Sequence, residues 1–178
     1  MRNLKVLFIG LVLVALGTTT YAQAPYKHSI GGVIGTFYGV SYKTFAFSEK
    51  LPLQVDLGTK MSFWGGLRWG LDVNPNLMYQ QPISNIGLHW FAGGGVSLGY
   101  AFRRGGHYLL DYDYNYRGYY GYGYGRFGVN AIGGVEYKFK FPLTVQADFR
   151  PGFGLLFRKN DTNPYFDWGV AVSARYAF

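Results

Sequence analysis

The stretch FDWGVAVSARYAF, residues 166–178, decides the fold class of this chain. Every second side chain from Phe166 to Phe178 is apolar, and the side chains between them are small or charged. Successive side chains point to opposite faces in a β-strand. The period of two therefore predicts a strand with one apolar face and a second face that carries Asp167, Gly169, Ala171, Ser173, Arg175 and Ala177.

The same alternation occurs in seven further segments, near residues 29–35, 40–43, 51–58, 67–77, 88–100, 127–139 and 143–157. Strands of roughly ten residues have the length that a tilted strand needs to cross a bilayer. An even number of strands returns both chain ends to one side, and short connections alternate with longer ones such as 103–126. We therefore predict an all-β fold, an eight-stranded antiparallel up-and-down transmembrane β-barrel.

The composition of the polar face separates this prediction from its alternative, a soluble barrel or sandwich with the same period. A solvated outer face is normally rich in Lys and Glu, whereas here the polar face is mostly Gly, Ser, Asn and Asp. Small side chains suit the narrow interior of an eight-stranded barrel and leave room for charges that pair with one another. The expected polar network of the lumen comprises Lys43, Asp56, Arg68, Asp72, Glu136, Lys138, Asp148, Arg150, Asp167 and Arg175.

Aromatic residues on the apolar face gather near the strand ends, which is typical of the boundary between hydrocarbon and headgroups. The predicted girdle on the side of the chain ends comprises Tyr42, Tyr79, Trp90, Tyr137, Tyr176 and Phe178. The girdle on the opposite side comprises Trp69, Tyr100, Phe102, Phe127, Phe157 and Trp168. Pro75 and Pro151 lie within predicted strands, and because proline removes a ladder hydrogen bond we expect a bulge or a strand end at each.

The N-terminus has the layout of a signal peptide. Arg2 and Lys5 precede an apolar run at 6–17 that is too short to span a membrane, and small residues lead to a cleavage position after Ala22. Residues 1–22 are therefore predicted to be removed, and residues 23–178 to form a barrel domain in an outer membrane. A buried N-terminal helix is the alternative. The absence of Cys excludes disulfides and cysteine nucleophiles.

Several stretches carry a family resemblance: GVSYK at 39–43, WFAGGG at 90–95, and GGVEYKF at 133–139 followed by DFRP at 148–151. They resemble the small outer-membrane β-barrel domain proteins of Bacteroidetes. The terminal Phe178 resembles the C-terminal aromatic residue that the barrel-assembly machinery recognises. The resemblance implies an outer-membrane location, insertion by that machinery and a barrel architecture, and it implies no particular activity.

The connection 103–126 holds the candidate binding residues Tyr108, Tyr112, Tyr114, Tyr116, Tyr119, Tyr120, Tyr122 and Tyr124. Tyr combines a flat apolar ring with a hydroxyl, which suits stacking on sugars or anchoring a protein partner. The alternative is a plain hairpin that extends beyond the membrane. Candidates for contacts with anionic lipopolysaccharide are Arg103, Arg104, Arg117 and Arg126. The sequence thus favours a structural, adhesive or partner-binding role.

Two other functions stay open at this point. A lipid-A-modifying hydrolase needs a nucleophile, a base and an acid near the outer leaflet, and the candidates are Ser62, His107 and Asp111 or Asp113. A narrow channel needs a lumen that side chains do not fill. No metal or cofactor is expected, because three scattered His give no ligand spacing. Nucleic-acid binding is not expected, because Lys and Arg are divided among lumen, loops and leader. We therefore expect that the protein is not an enzyme.

Overall fold

The computed structural model describes residues 24–62, 66–67, 70–83, 86–102, 123–158 and 161–178. The predicted signal peptide, Arg68 and most of the Tyr-rich connection lie outside these residues. The described part of the chain forms β-strands and no α-helix, so it contains no helix of the length and hydropathy that a membrane span requires.

The described residues form eleven strands. They are β1 (His28–Gly35), β2 (Phe37–Thr44), β3 (Leu53–Ser62), β4 (Gly66–Leu67), β5 (Gly70–Pro82), β6 (Leu88–Ala101), β7 (Tyr124–Lys138), β8 (Leu143–Phe149), β9 (Gly152–Arg158), β10 (Asp161–Asp167) and β11 (Val170–Ala177). The predicted segments agree with these strands, and the fourth corresponds to β4 and β5 and the seventh to β8 and β9. The eighth corresponds to β10 and β11, but β10 begins at Asp161, five residues before the predicted start at Phe166.

The strands close into one antiparallel barrel with eight strand positions. β11 pairs with β1 and closes the barrel, while β4 is a short addition that pairs with β3. β8 and β9 occupy one position and β10 and β11 another, because the register against their neighbours is unchanged across each break. The prediction of a closed eight-stranded antiparallel β-barrel is therefore confirmed. We call the end that carries Ala24 and Phe178 the lower end, and the opposite end the upper end.

The barrel is polar inside and apolar outside, as the period of two predicts. Along β11, side chains alternate strictly between exposed and buried from Val170 to Ala177. Most of the fully buried side chains are polar, whereas large aliphatic and aromatic side chains are exposed around the outside. Soluble proteins show the opposite arrangement. An apolar outer surface around a polar interior is the arrangement of a barrel that is surrounded by lipid.

The two prolines behave differently. Pro151 lies at the break between β8 and β9, so a strand end occurs there as expected. Pairing with the last strand position continues across this break, because Arg150 and Gly169 exchange main-chain hydrogen bonds at N···O distances of 2.8 and 3.0 Å. At Pro75 the expectation is wrong: β5 continues through it, paired with Val55 of β3. Because Pro75 has no N–H, only its local pairing with β6 is lost. The register of β5 against β6 is the same before and after Pro75.

The register also makes the upper rim uneven. Starting from Ser29 of β1, the residues paired in turn on successive strands are Lys43, Gln54, Asn76, Gly95, Asn130, Gly152 and Asp167. The closing partner of Ser29 is Ala177, which lies ten residues further along the chain than Asp167. Residues that are paired in turn around the barrel therefore lie progressively closer to its upper end. The eight-residue strands of the β1–β2 hairpin end below the upper part of the last strand.

Candidate functional site

A cluster of buried charges fills the lower part of the lumen around Glu136 of β7. Its carboxylate accepts hydrogen bonds from Lys43 Nζ at 3.0 Å, Arg175 Nη2 at 2.6 Å and Gln80 Nε2 at 3.1 Å. The side chains of Lys43, Glu136 and Arg175 are completely buried. Burial of three charges is strongly unfavourable unless each is paired and hydrogen-bonded, as it is here.

Two glutamines complete the coordination of the two cations. Gln146 Oε1 accepts from Arg175 Nη2 at 2.5 Å and from Lys43 Nζ at 3.4 Å. Gln80 Oε1 accepts from Lys43 Nζ at 2.5 Å. One carboxylate faces two cations, and these neutral oxygens supply further hydrogen bonds without adding negative charge. The cluster joins strands from opposite sides of the barrel, β2, β5, β7, β8 and β11, and fills the lumen between them.

A second cluster lies above the first and is centred on Arg150. Its guanidinium donates from Nη1 to Asp56 Oδ2 at 2.5 Å and from Nη2 to Asp148 Oδ2 at 3.0 Å, and Nε also bonds to Asp148. Gln54 donates to both oxygens of Asp56, and Gln146 donates to Asp148 Oδ2 at 2.7 Å. Gln146 therefore links the two clusters, since its other amide atom accepts from Arg175.

The remaining side of the lumen is filled by neutral polar groups. Ser97 donates to Asn74 Oδ1 at 2.5 Å, and Asn130 donates to Asn76 Oδ1 at 2.5 Å. A network of this kind fixes the side chains that take part, because each amide has a defined donor and acceptor orientation.

Two ion pairs lie at the upper end. Arg126 of β7 bonds to Asp72 of β5 over Gly99 of the intervening strand β6. Lys60 Nζ of β3 lies 2.5 Å from Asp167 Oδ2 of β10, and it also lies 5.8 Å from the centroid of the Tyr165 ring. These upper groups are less buried than the lower cluster, so the interior opens gradually towards the upper end.

The segment that precedes β1 closes the lower end. Tyr26 is buried against Phe45 and Ala177, and its hydroxyl donates to Glu136, with 2.9 and 3.0 Å to the two carboxylate oxygens. Burial raises the pKa of the Tyr26 phenol well above its ordinary value of 10.0, and the negative charge of Glu136 raises it further. The phenol therefore stays protonated and continues to donate its hydrogen bond.

Apolar side chains also point into the lumen, which the sequence patterns did not predict. Met78, Phe91 and Ile132 form one buried group, and Lys43 Nζ lies 4.9 Å from the centroid of the Phe91 ring. Val33, Phe37 and Ala171 form another group beneath the turn of the first hairpin. The interior is thus packed with mixed side chains and is not a uniformly polar tube.

The structure brings most of the expected network residues together inside the barrel. They are Lys43, Asp56, Asp72, Glu136, Asp148, Arg150, Asp167 and Arg175. Lys138 was wrongly included: at the lower end of β7 it donates to the carbonyl oxygens of Phe139 and Phe141. Its position at the strand end lets the long chain cap the following turn. Arg68 lies outside the described residues.

Several contributors to the network were missed. Gln54 and Gln146 lie on predicted polar faces but were not included, because only charged side chains were selected. Gln80 continues the alternation of β5 beyond Asn76, so extending the period by two more steps would have found it. Tyr26 precedes the first strand, and no periodic signal marks it. Arg126 was expected to contact lipopolysaccharide, which is wrong because its side chain turns inward to Asp72.

Most residues of the Tyr-rich connection lie outside the described part of the chain, including Tyr108, Tyr112, Tyr114, Tyr116, Tyr119, Tyr120 and Tyr122. The connection is shorter than expected at its C-terminal end, because Tyr124 already begins β7 and is paired with Ala101. Of the hydrolase candidates, His107, Asp111 and Asp113 and the side chain of Ser62 also lie outside it. The described residues contain no group of three or more His, Asp or Glu side chains placed to hold a metal.

Aromatic contacts encircle the lower end. Tyr79 and Trp90 lie with ring centroids 5.9 Å apart, Tyr137 and Phe139 at 4.7 Å, and Tyr176 and Phe178 at 6.2 Å. At the upper end, the Tyr100 and Phe102 rings lie 5.5 Å apart. Rings of this kind at both rims suit the two interfaces of a bilayer.

The sequence matches no protein-family model and none of the curated proteins. Among solved structures, the chain is similar to Neisserial surface protein A, NspA, with a TM-score of 0.58 and 12% sequence identity. The similarity covers 86% of this chain and 97% of that one. At this identity the likeness concerns the fold, and it agrees with the closed barrel described above.

Proposed function

We propose that this protein is an integral outer-membrane β-barrel whose polar interior is a structural plug and whose Tyr-rich connection, residues 103–126, binds a protein or glycan partner. It is exported through the signal peptide 1–22, inserted by the barrel-assembly machinery and surrounded by outer-membrane lipid and lipopolysaccharide. It has no enzymatic activity. The resemblance to the Bacteroidetes type, which is a prediction from the sequence, supports this proposal.

The observation that carries the proposal is the inverted polarity of the barrel. Lys43, Glu136 and Arg175 are completely buried inside, whereas Phe166, Val172 and Tyr176 are exposed outside. In water such an outer surface would cause aggregation, because it greatly exceeds the apolar patches of soluble monomers. In lipid the same surface is favourable, and closure of the barrel leaves few unpaired main-chain groups.

Cysteine labelling tests the location and orientation, since the natural chain has no Cys. Asn115→Cys marks the Tyr-rich connection, and Ser48→Cys marks the turn between β2 and β3 at the lower end. In intact cells, a membrane-impermeant maleimide should label position 115 and leave position 48 unlabelled until the outer membrane is permeabilised. Equal labelling at both positions in intact cells would contradict the proposed orientation.

A deletion tests the binding role. Residues 105–121 are replaced by a short Gly/Ser linker, which leaves the β6–β7 pairing at Ala101 and Tyr124 intact. We expect the variant to fold normally, judged by its heat-modifiable migration in gels, and to lose the partners that the natural protein captures by crosslinking in intact cells. A matched control replaces the tyrosines at 112, 114 and 116 by Phe, which keeps the rings and removes the hydroxyls. Capture of the same partners by the deletion variant would refute the binding role.

A further inference from the structure

The turns at the lower end expose large apolar side chains. In the β2–β3 turn, residues 45–52, Phe47 is 81% exposed, more than any other large apolar side chain of the described residues. In the β7–β8 turn, residues 139–142, Phe141 is 56% exposed, and Ile83 and Ile86 are exposed in the β5–β6 turn. A single exposed apolar side chain needs no explanation, whereas one in each of three turns indicates contact with an apolar neighbour.

The β2–β3 turn is fixed on both sides, so the exposure of Phe47 is built into the fold. On one side Phe45 is buried against Tyr26, with ring centroids 5.2 Å apart. On the other side the Lys50 carbonyl oxygen accepts a hydrogen bond from the main-chain N–H of Gln80 at 2.9 Å. Phe47 lies between these two attachments and is held away from the lumen.

The β7–β8 turn is ordered in a similar way. Lys138 Nζ donates to the carbonyl oxygens of Phe139 and Phe141 at 2.8 and 2.9 Å. The Phe139 ring lies 4.7 Å from the Tyr137 ring and 5.0 Å from the Phe141 ring, measured between centroids. The row of aromatic rings on the outer face of β7 therefore continues into the turn without interruption.

The spacing of the aromatic girdles gives the position of the bilayer. A strand that is tilted by about 45° gains roughly 2.3 Å of height per residue, so Trp90 and Tyr100 of β6 differ in height by roughly 23 Å. This difference agrees with an apolar band about 25 Å tall that has an aromatic girdle at each edge.

The same rise places both turns at the level of the lipid headgroups. Phe47 lies three residues before Lys50, which is bonded to β5 next to the girdle residue Tyr79, and Phe141 lies four residues beyond Tyr137. The tips of the turns are therefore roughly 7–9 Å below the lower girdle. The headgroup layer extends roughly 5–8 Å beyond the hydrocarbon on each side of a bilayer.

The exposed charges of the lower end are mostly positive. Lys27, Lys50 and Lys140 are exposed and form no ion pair with the described residues. The negative groups exposed there, within the same part of the chain, are the Glu49 side chain and the C-terminal carboxylate of Phe178. An anionic layer is therefore the electrostatic complement of this end.

Lysine and aromatic side chains also occur side by side in the two turns. Lys50 follows Phe47 by three residues, and Lys140 directly precedes Phe141. The long stem of Lys covers apolar surface while its ammonium group reaches polar surroundings. A combination of apolar rings and ammonium groups is typical of segments that bind the surface of an anionic membrane.

The distribution of these groups favours lipid over a protein as the occupant. The β2–β3 turn, the β5–β6 turn, the β7–β8 turn and the chain ends follow one another around the whole lower rim. A protein partner covers one side of such a rim, whereas lipid headgroups contact its entire circumference. The exposed side chains are also continuous with the apolar outer wall.

We propose that the lower turns are interfacial anchors that bind anionic phospholipids of the inner leaflet. The Phe47 and Phe141 rings lie in the headgroup layer, and the ammonium groups of Lys50 and Lys140 bind lipid phosphates. This inference rests on the outer-membrane placement proposed above, and it adds the leaflet and the class of lipid that the lower end contacts.

Spin labelling measures the depth of the turns, since the natural chain has no Cys. A nitroxide is attached to Phe47→Cys and, separately, to Phe141→Cys, in vesicles of phosphatidylcholine and phosphatidylglycerol. Collisions with oxygen and with a water-soluble nickel complex should place both labels between hydrocarbon and water. Ala131→Cys is the control, because Ala131 lies on the outer face in the middle of β7 and its label should lie in hydrocarbon.

The control separates the two levels of the proposal. A label at position 47 or 141 that meets the nickel complex as freely as a labelled peptide in buffer would overturn the anchors alone. A label at position 131 that lies in water would contradict the membrane-spanning barrel itself.

Lipid selectivity tests the role of the lysines. The association of spin-labelled phosphatidylglycerol with the barrel is compared with that of spin-labelled phosphatidylcholine at low salt. Lys50→Gln combined with Lys140→Gln should lower the preference for phosphatidylglycerol at least about twofold, because two positive charges leave the headgroup layer. Glu49→Gln, in the same turn as Lys50, is the control of opposite sign and should raise the preference. An unchanged preference in the double variant would overturn the lysine contacts.

Photocrosslinking in intact cells distinguishes the occupants. p-Benzoylphenylalanine in place of Phe47 should give phospholipid adducts, and in place of Phe127, which is exposed on the outer face in the upper half of β7, it should give lipopolysaccharide adducts. A protein adduct at position 47 without phospholipid would overturn the anchors in favour of a docking partner. Lipopolysaccharide at position 47 would overturn both the inner-leaflet assignment and the orientation proposed above.

Discussion

At the level of single residues, Glu136 determines the charge balance of the lower lumen. It is the carboxylate that both Lys43 and Arg175 contact, at 3.0 and 2.6 Å. Neutral acceptors supply the other hydrogen bonds of these cations, so no second anion in the cluster compensates for its removal. The geometry makes the cluster sensitive to this one side chain.

Glu136→Gln should therefore destabilise the barrel by about 3–5 kcal/mol, since it leaves two buried cations without a counter-charge. The measurement is urea-induced unfolding in lipid vesicles, followed by tryptophan fluorescence. Asp161→Asn is the control, because Asp161 is exposed and bonds to the neighbouring Asn163, and its effect should stay below about 0.5 kcal/mol. A difference of less than about 1 kcal/mol between the two variants would mean that Glu136 matters no more than a surface residue, which would contradict this assignment.

Tyr26 gives a pH-dependent prediction. Because burial raises its pKa above 10.0 in the folded state, the unfolded chain loses the phenol proton at a lower pH than the folded chain does. The stability due to Tyr26 is fully present below pH 10 or so and is lost as the pH rises towards the folded-state pKa. Tyr26→Phe should cost about 1–3 kcal/mol at neutral pH and should weaken the alkaline loss of stability. If the stabilities of the natural protein and of Tyr26→Phe fall in parallel above pH 10, the role assigned to the Tyr26 hydroxyl is contradicted.

At the level of elements, the first hairpin depends on a glycine. Gly35 has φ of 138°, and a Cβ there would lie 2.3 Å from the carbonyl oxygen of Val170. The adjacent turn residue Thr36 donates from N and from Oγ1 to that same oxygen, at 2.9 and 3.1 Å. The turn therefore anchors the short hairpin to β11 at one point.

Gly35→Ala should destabilise the barrel by about 1–3 kcal/mol, because it combines backbone strain with a steric clash. Gly32→Ala is the matched control on the same strand, since the nearest atom to its Cβ would be the Gly39 oxygen at 4.0 Å. Unfolding in vesicles measures both variants. Equal stabilities for the two would show that the turn tolerates a side chain.

At the level of the whole molecule, ion pairs occupy the lumen at several heights. Glu136 with its cations, Arg150 with Asp56 and Asp148, and Arg126 with Asp72 follow one another from the lower to the upper end. Side chains of this density fill the interior of an eight-stranded barrel. The barrel should therefore not conduct ions.

Planar-bilayer recordings test this expectation. Inserted protein should give no steady conductance between neutral pH and pH 9, with insertion verified by protease protection of the barrel. A stable, voltage-independent conductance would instead support the channel alternative, and it would require the lower cluster to rearrange.

The sequence by itself determined the period of two, the number of strand positions, and which face of each strand carries charge, because side-chain direction alternates wherever a strand forms. It also determined most of the inward charges, such as Asp56 and Arg175, since these interrupt an apolar pattern at fixed spacing.

Only the tertiary structure decided which charges meet. Arg150 binds Asp56, 94 positions away along the chain, and Lys60 reaches Asp167 over a separation of 107 positions. These partners follow from the stagger of the closed barrel, which no local pattern records. The same stagger places the end of the first hairpin below the upper part of the last strand. The physical reason is that closure couples the register of every strand to all the others, whereas alternation is a property of each strand alone.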